Sequence, residues 1–426
     1  MIQELKFKNF LSFRDEVVFS FEATSDDTLD EYYVAEPVPG VRLLKMAMVY
    51  GANASGKSNL LVTIDFLKDF IDNIPVEREE STEFIPFLFG NTSNDPGMLE
   101  LIFYAEGTKY KYFLELDKEK VIKEVLSYYP GTQPATIFNR EFDFKSKISV
   151  IKFGSKIKIS DQAAEAIQLK TLKNMSVFAA LSQVNLSLPE LDTPYNWFKN
   201  KLLPTIDPYS NITSYSDEYI KDDGNVKNHA LEFVKEADFN ISDISFKEQV
   251  KSFTDEEIKK IKVDLLPDEV RNKLINEKIY SFEETFFEHR ILKDNIEEFH
   301  SLPESLESRG TIRYYGLSAP FYHTIEKNAF LPIDEISTSL HPLLVIHFIK
   351  EFLKKSDQAQ LLFTTHNISL LNERDIIRKD AIWFVEKGDD GSSKLFSLAD
   401  FNIRKELSYY NAYKQGKFGA IPNLED

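Results

Sequence analysis

Gly51-Ala52-Asn53-Ala54-Ser55-Gly56-Lys57-Ser58 matches the pattern G-x-x-x-x-G-K-[ST] at every fixed position. Glycines let such a loop curl so that backbone N–H groups face inward, and a helix that follows adds the partial positive charge of its N-terminus. The result is a cradle for phosphates. Within it Lys57 reaches the β- and γ-phosphates, Ser58 ligates Mg²⁺, and Asn59 closes the nucleotide-binding stretch. An ordinary glycine-containing turn is the plain alternative. It requires neither of the flanking elements that this sequence supplies: residues 46–50 are an apolar run that reads as a buried strand, and residues 59–72 have helical spacing.

A second group of reactive residues lies far downstream. The apolar run 329–333 ends in Asp334-Glu335, with Pro332 counting against a fully paired strand. A carboxylate at the end of a buried strand costs desolvation energy unless a cation or hydrogen bonds compensate, and Mg²⁺ is such a cation. Asp334 is expected to hold the metal, directly or through water, and Glu335 to orient or deprotonate an attacking water. Without a P-loop in the chain the pair would read as a solvated acidic turn. Residues 342–355 then predict a helix, and 360–365 another buried strand ending in His366. That order places His366 beside Glu335 on the neighbouring parallel strand, because α/β sheets gather ligands at strand C-termini; a phosphate-facing role follows.

These residues must be positioned by a chain of 426 residues, 42% hydrophobic and 28% charged, long enough for two or three lobes with sizeable cores. Residues 5–10 and 17–21 alternate as two strands around a turn at 12–15, and a polar surface loop covers 25–36. A β-meander is predicted over 99–105, 109–116 and 120–129, with short turns at Glu106-Gly107 and Asp117-Lys118. Segments 135–139, 148–153 and 156–159 extend it. Helical spacing marks 163–169 and 174–184. From 189 to 282 the pattern reads as a mostly helical, charged insert, with a helix at 225–237 and a capping box at Thr254 and Glu257. The expected division is an N-terminal ATPase lobe over 1–188, an inserted helical lobe over 189–282 and a C-terminal ATPase lobe over 283–426. No heptad pattern is sustained, so a long coiled-coil arm is not expected.

The absence of cysteine excludes disulfides, cysteine-ligated zinc, iron–sulfur clusters and a thiol nucleophile. Residues 1–10 carry Lys6 and Lys8 in an alternating pattern that has no signal-peptide core, and no apolar run approaches membrane-spanning length. A cytoplasmic protein without a membrane partner is expected. The net charge of −18, from 69 acidic against 51 basic residues, argues against a wholly nonspecific nucleic-acid binder and leaves a local basic groove for DNA open.

Assembled, these residues resemble the ATP-binding-cassette class of P-loop ATPases, in the branch that includes the RecF and SMC proteins and its small bacterial AAA-type members. Leu5-Lys6-Phe7-Lys8-Asn9-Phe10-Leu11-Ser12-Phe13 is similar to that branch's opening strand, Asp334-Glu335 to Walker B, Ser339-Leu340-His341 to the D-loop, and Thr364-Thr365-His366-Asn367 to the H-loop. The resemblance implies an α/β cassette head with a mixed sheet, an antiparallel β-meander and an inserted helical lobe. It further implies a head-to-tail homodimer or larger homo-oligomer that binds ATP and Mg²⁺ and hydrolyses ATP to ADP and phosphate, with Lys57, Glu335 and His366 catalytic. Adenine over guanine rests on the resemblance alone.

The class also requires a signature motif whose serine and glycine touch the γ-phosphate held by the opposite protomer. Glu307-Ser308-Arg309-Gly310-Thr311 stands in its place, assigning that contact to Ser308 and Gly310. Arg309 departs from the common pattern, leaving open whether it weakens or tightens closure, and a simple helix cap by Ser308 is the alternative. For the Q-loop glutamine that touches the metal or water, Gln183 is available; an exposed helix end would explain it equally well. Arg404-Lys405-Glu406-Leu407, Tyr413 and the glycine-containing stretch 416–422 are similar to the ending of RloA/AbiL-type phage-defence ATPases, which implies a partner of the RloB type or another TOPRIM-fold effector. The alternative for this tail is a basic segment packed on the ATPase surface. A sensor or regulator of anti-phage defence is therefore the leading functional expectation, with a RecF-type DNA-repair ATPase and a non-hydrolysing scaffold as rivals.

Overall fold

A computed structural model describes residues 1–237, 239–258, 260, 268–403 and 407–422. The chain forms two compact units, one of residues Met1–Ser210 with His323–Asp426 and one of Asn211–Tyr322. This second unit starts and ends later than the expected insert at 189–282, and it takes Ser308 and Gly310 with it. No helix among the described residues is long and apolar enough to cross a membrane.

The first unit contains the sheet that carries the phosphate loop. Its strand order is Phe330–Ile333, Gln360–Thr364, Met46–Tyr50, Ile382–Lys387 and Ser393–Ser397; the first four are parallel and the last is antiparallel. Met46–Tyr50 and Gln360–Thr364 are buried at every residue, as expected of parallel strands covered on both faces. Pro332 fits because Phe330–Ile333 is the outer strand. Its carbonyl accepts from Ile206 N at 3.0 Å on the outer side, so its missing N–H leaves the ladder to Gln360–Thr364 intact. The helix Pro342–Lys355 returns the chain between these strands, with Pro342 at its start, His341 as cap and Lys354 and Lys355 in its last turn.

A seven-stranded antiparallel sheet completes this unit, in the order Ile148–Phe153, Ala135–Asp143, Val121–Tyr129, Thr108–Leu116, Gly97–Ala105, Ile2–Lys8, Val17–Ser20. The meander is present as expected, and its first turn has positive φ at both Glu106 (49°) and Gly107 (71°), the geometry that matches strand twist in a two-residue hairpin. Residues 156–159 do not add the expected further strand. The Gln168 amide already occupies that edge: its Oε1 accepts from Ile151 N at 2.7 Å while its Nε2 donates to the Ser149 carbonyl. The two groups a neighbouring strand would pair with are thus taken. Inside the sheet Glu124 and Arg140 form a fully buried ion pair at 3.0 Å. Glu124 also accepts from Tyr112 and Val177 N, and Arg140 donates to Met175, Leu172 and Lys173 carbonyls and to Ser149, which ties the sheet to the helix Val177–Leu181.

The second unit joins helices to a three-stranded sheet; the stretch 189–282 is mostly helical among its described residues, as expected, with the strand Ile241–Ser252 unforeseen. Helices Ile212–Asp222, Gly224–Glu236 and Arg309–Gly316 pack with an antiparallel sheet of Ile241–Ser252, Ile279–Lys293 and Ile296–Pro303. Ile220, Val226, Ala230, Val234, Ile241, Ile244, Phe287 and Tyr315 form its core. A bulge lies between Ile241 and Asp243 in the register against Ile279–Lys293. It puts Ile241 and Ile244 on one face of a strand, a spacing of three that imitates a helix. The predicted helix at 225–237 and the Thr254–Glu257 capping box are both present.

Candidate functional site

The loop after Met46–Tyr50 turns sharply into the helix Lys57–Asp72. Ala54 and Gly56 take positive φ (59° and 111°), and a Cβ on Gly56 would collide with the hydroxyls of Ser393 and Ser12. Those two serines brace the outside of the loop. Ser393 Oγ donates to the Ser55 carbonyl at 2.5 Å and Ser393 N to the Ser12 carbonyl at 2.7 Å, while Ser12 Oγ accepts from Asn59 Nδ2 at 2.8 Å. Asn59 therefore holds the loop from behind. The sequence marks Ser12 only as part of a turn and of a longer resemblance and carries no signal for Ser393, which lies 338 residues from Ser55.

Lys57, its side chain 5% exposed, aims inward. Its ammonium donates to the Gly51 and Ala52 carbonyls at 3.2 and 3.1 Å, lies 3.1 Å from His366 Nε2 and 4.0 Å from Glu335 Oε1. Glu335 Oε1 in turn lies 3.0 Å from the same His366 nitrogen. One imidazole nitrogen cannot serve both neighbours at once: protonated it donates to Glu335, deprotonated it accepts from Lys57. Burial pushes the His366 imidazolium below its usual range, Lys57 adds to this, and Glu335 and Asp334 oppose it. Burial likewise lowers the Lys57 ammonium, against the pull of Glu335 and then Asp334. The three side chains that the sequence separates by up to 309 residues are one cluster.

Beside it Ser58 Oγ donates to Asp334 Oδ2 at 2.8 Å, and Thr364 Oγ1 donates to Asp334 Oδ1 at 2.5 Å. Thr364 also accepts from Glu335 N at 2.8 Å, which holds Glu335 in a left-handed conformation with φ of 51°. Few residues other than glycine adopt such a φ without surrounding constraint. Thr364 is thus a positioning residue for both acids, visible in the sequence only as a letter of the Thr-Thr-His-Asn stretch. The paired hydroxyl and carboxylate of Ser58 and Asp334 are hard oxygen donors, few in number, as Mg²⁺ requires when substrate oxygens complete its shell. Among the described residues there is no group of three or more His, Cys, Asp or Glu side chains fit to hold a metal ion by themselves.

The remaining candidates stand elsewhere. Gln183 is exposed just after the helix Val177–Leu181, its Nε2 donating back to the Ala179 carbonyl at 3.5 Å. In the second unit Ser308 is exposed and caps Arg309–Gly316, its hydroxyl accepting from Thr311 N at 3.1 Å; Gly310 lies in the first turn. In the D-loop stretch Ser339 has a φ of 61° and His341 caps the helix Pro342–Lys355. Arg404, Lys405 and Glu406 lie outside the described residues. The rest of the tail packs on the phosphate-loop sheet: the Tyr413 ring stacks on Phe384 at 5.3 Å and lies 5.7 Å from Tyr50, and its hydroxyl donates to the Ala420 carbonyl at 2.9 Å.

Among solved structures the chain is similar to an SMC head bound to the C-winged helix domain of ScpA (TM-score 0.43, 14% identity, 97% of this chain and 99% of that chain covered). It is also similar to the SMC head domain from Thermotoga maritima (0.38, 16%, 93% and 98%). A third is an Smc head domain with an extended coiled coil bound to the C-terminal domain of ScpA derived from Pyrococcus furiosus (0.39, 13%, 98% and 98%). Comparison with curated proteins matches none. Residues 46–372, which run from the strand before the phosphate loop past His366, match the family described as "AAA domain, putative AbiEii toxin, Type IV TA system". By that match, over most of its length, the chain belongs to this AAA family of P-loop ATPases.

Proposed function

We propose that the protein is an ATP-hydrolysing switch of the cassette type that works as a head-to-tail dimer. The observation that carries this is the convergence of Lys57, Glu335 and His366 beside the Ser58–Asp334 pair. Each nucleotide would lie between residues 51–59 of one protomer and Ser308 and Gly310 of the other. Ser58 and Asp334 would hold Mg²⁺, which when bound neutralises phosphate charge and orients the terminal phosphoryl group. Lys57 offers its ammonium to the β- and γ-phosphates. Glu335 takes a proton from the attacking water, and His366 keeps the carboxylate turned toward it. The phosphorus–oxygen bond to ADP breaks as the water oxygen bonds the phosphorus, so the chain's share of catalysis is positioning and charge stabilisation.

Contacts from both protomers to the γ-phosphate favour the closed pair, and their loss on hydrolysis favours the open one. Together with the family's description and the resemblance of the tail to phage-defence ATPases, this supports a sensor or regulator acting on a partner effector in the cytoplasm. The test is the solution mass of wild type and Glu335→Gln with and without ATP and Mg²⁺. ATP-dependent assembly that persists in Glu335→Gln and disappears in Ser308→Arg is the expected result. If neither protein binds ATP or changes assembly, the cassette reading fails.

A further inference from the structure

The exposed Ser308 cap is held by an element on which sequence reasoning placed no function. Residue Glu307, immediately before it, turns its carboxylate away from solvent: the side chain is 7% exposed and its Oε1 lies 2.5 Å from His289 Nε2. A carboxylate next to a helix start is already favoured in water, where it complements the helix dipole, and withdrawing it from solvent costs desolvation energy. Helix formation alone therefore gives no reason for this pair. What the bond adds is a fixed position for the backbone of residue 307 against the strand Ile279–Lys293.

Three more attachments join the same strand to the same segment. Ser305 Oγ donates to Glu284 Oε1 at 2.9 Å. Further along, Asp217 accepts from Thr285 at 2.7 Å and from Tyr315 at 2.6 Å, and the Phe287 ring meets the Tyr315 ring edge-on at 5.0 Å. The helix Arg309–Gly316 has eight residues, too short to hold its place by its own hydrogen bonds, so these contacts, with Tyr314 stacked on Phe233 and the Ser216 hydroxyl donating to the Gly316 carbonyl at 2.8 Å, determine where it points. The Asp217 network and Phe287 fix its far end. At the near end, the side chain adjoining the cap is fixed by His289.

We propose that His289 is a positioning residue for the composite nucleotide site, setting through Glu307 the direction in which Ser308 and Gly310 face a second copy of the chain. This rests on the role given to Ser308 above. The His289 contribution is geometric. It touches neither nucleotide nor metal, and its loss moves the cap without altering the phosphate loop.

The test uses the full chain in the Glu335→Gln background, comparing His289→Ala, His289→Gln and Ser308→Arg. Two quantities are read: the protein concentration at half-maximal ATP-dependent dimerisation, and ATP affinity from a fluorescent analogue below that concentration. His289→Ala should raise the dimerisation midpoint about tenfold, as when the cap of each protomer is correctly placed only about a third of the time and the dimer needs both. Affinity for the analogue should stay unchanged, and His289→Gln, whose amide can donate to Glu307, should recover most of the loss. If Ser308→Arg abolishes dimerisation while His289→Ala dimerises like its parent, the positioning role is wrong and the Ser308 reading stands. Equal impairment in His289→Ala and His289→Gln also overturns it, since the donor would then be irrelevant. Normal dimerisation of Ser308→Arg removes the Ser308 reading and this inference with it.

Discussion

The phosphate loop and the Ser308 cap are both helix starts, and they are held in opposite ways. Backbone conformation shapes the first: a buried strand leads in, glycine and alanine take positive φ, and from outside Ser393 donates to the Ser55 carbonyl while Ser12 anchors Asn59. Side chains reaching from a neighbouring strand hold the second, whose Ser308 and Arg309 are exposed. A backbone-built site needs particular residue types at particular spacings, because only they permit the curvature. A cap held by side chains needs only partners at the right height on another strand, which many sequences can supply. One region is therefore rigid in chemistry and the other adjustable in placement.

The contrast can be tested most strongly through Glu335. Glu335→Gln should slow phosphate release by about 10²–10⁴-fold, the range for losing a general base, while nucleotide binding persists. A rate unchanged in steady-state assays would remove Glu335 from the chemistry. Next in size is Arg140→Met, which leaves Glu124 buried without its partner in the seven-stranded sheet. It should destabilise by about 3–5 kcal/mol in denaturant unfolding, and replacing Glu124 by leucine as well should recover much of that.

The two helix starts should then respond differently to small substitutions. Gly56→Ala forces a Cβ into a left-handed turn against Ser12 and Ser393, costing about 1–3 kcal/mol of local strain, so ATP affinity should fall with dimerisation following it. Ser308→Ala removes one cap hydrogen bond, about 1 kcal/mol of helix stability, and should leave monomer ATP affinity unchanged. Equal losses of affinity in both variants would erase the distinction. Confined to high pH is an alkaline effect in the first unit, where burial pushes the Tyr413 phenol up to about 12 from 10.0. Because the folded state keeps this proton more tightly, the stabilisation is complete below pH 10 and is lost as pH rises toward 12. Tyr413→Phe should flatten the decline in unfolding midpoint across that window.

How far the sequence could be read follows the same division. The phosphate loop, the Asp334-Glu335 pair and His366 were legible because strand ends in a parallel sheet converge and each residue type has a chemical reason to be there. The meander was legible from alternation and short turns. Ser393, Thr364 and His289 were not, since each acts across a distance that leaves no local pattern. Residues 241–252 form a strand inside a stretch read as mostly helical, and residues 156–159 were misread because nothing in their own letters reports that Gln168 has closed the edge beside them.

That closed edge also fixes how the molecule could be extended. Gln168, carried on the helix Asp161–Lys170 that lies against this edge, fills the two ladder positions at Ser149 and Ile151 with a single side-chain amide, so the strand count ends there. Replacing it by alanine would expose one donor and one acceptor spaced for an incoming strand. An engineer could use that opening as an attachment point for a tethered peptide, remote in sequence from the residues that handle nucleotide.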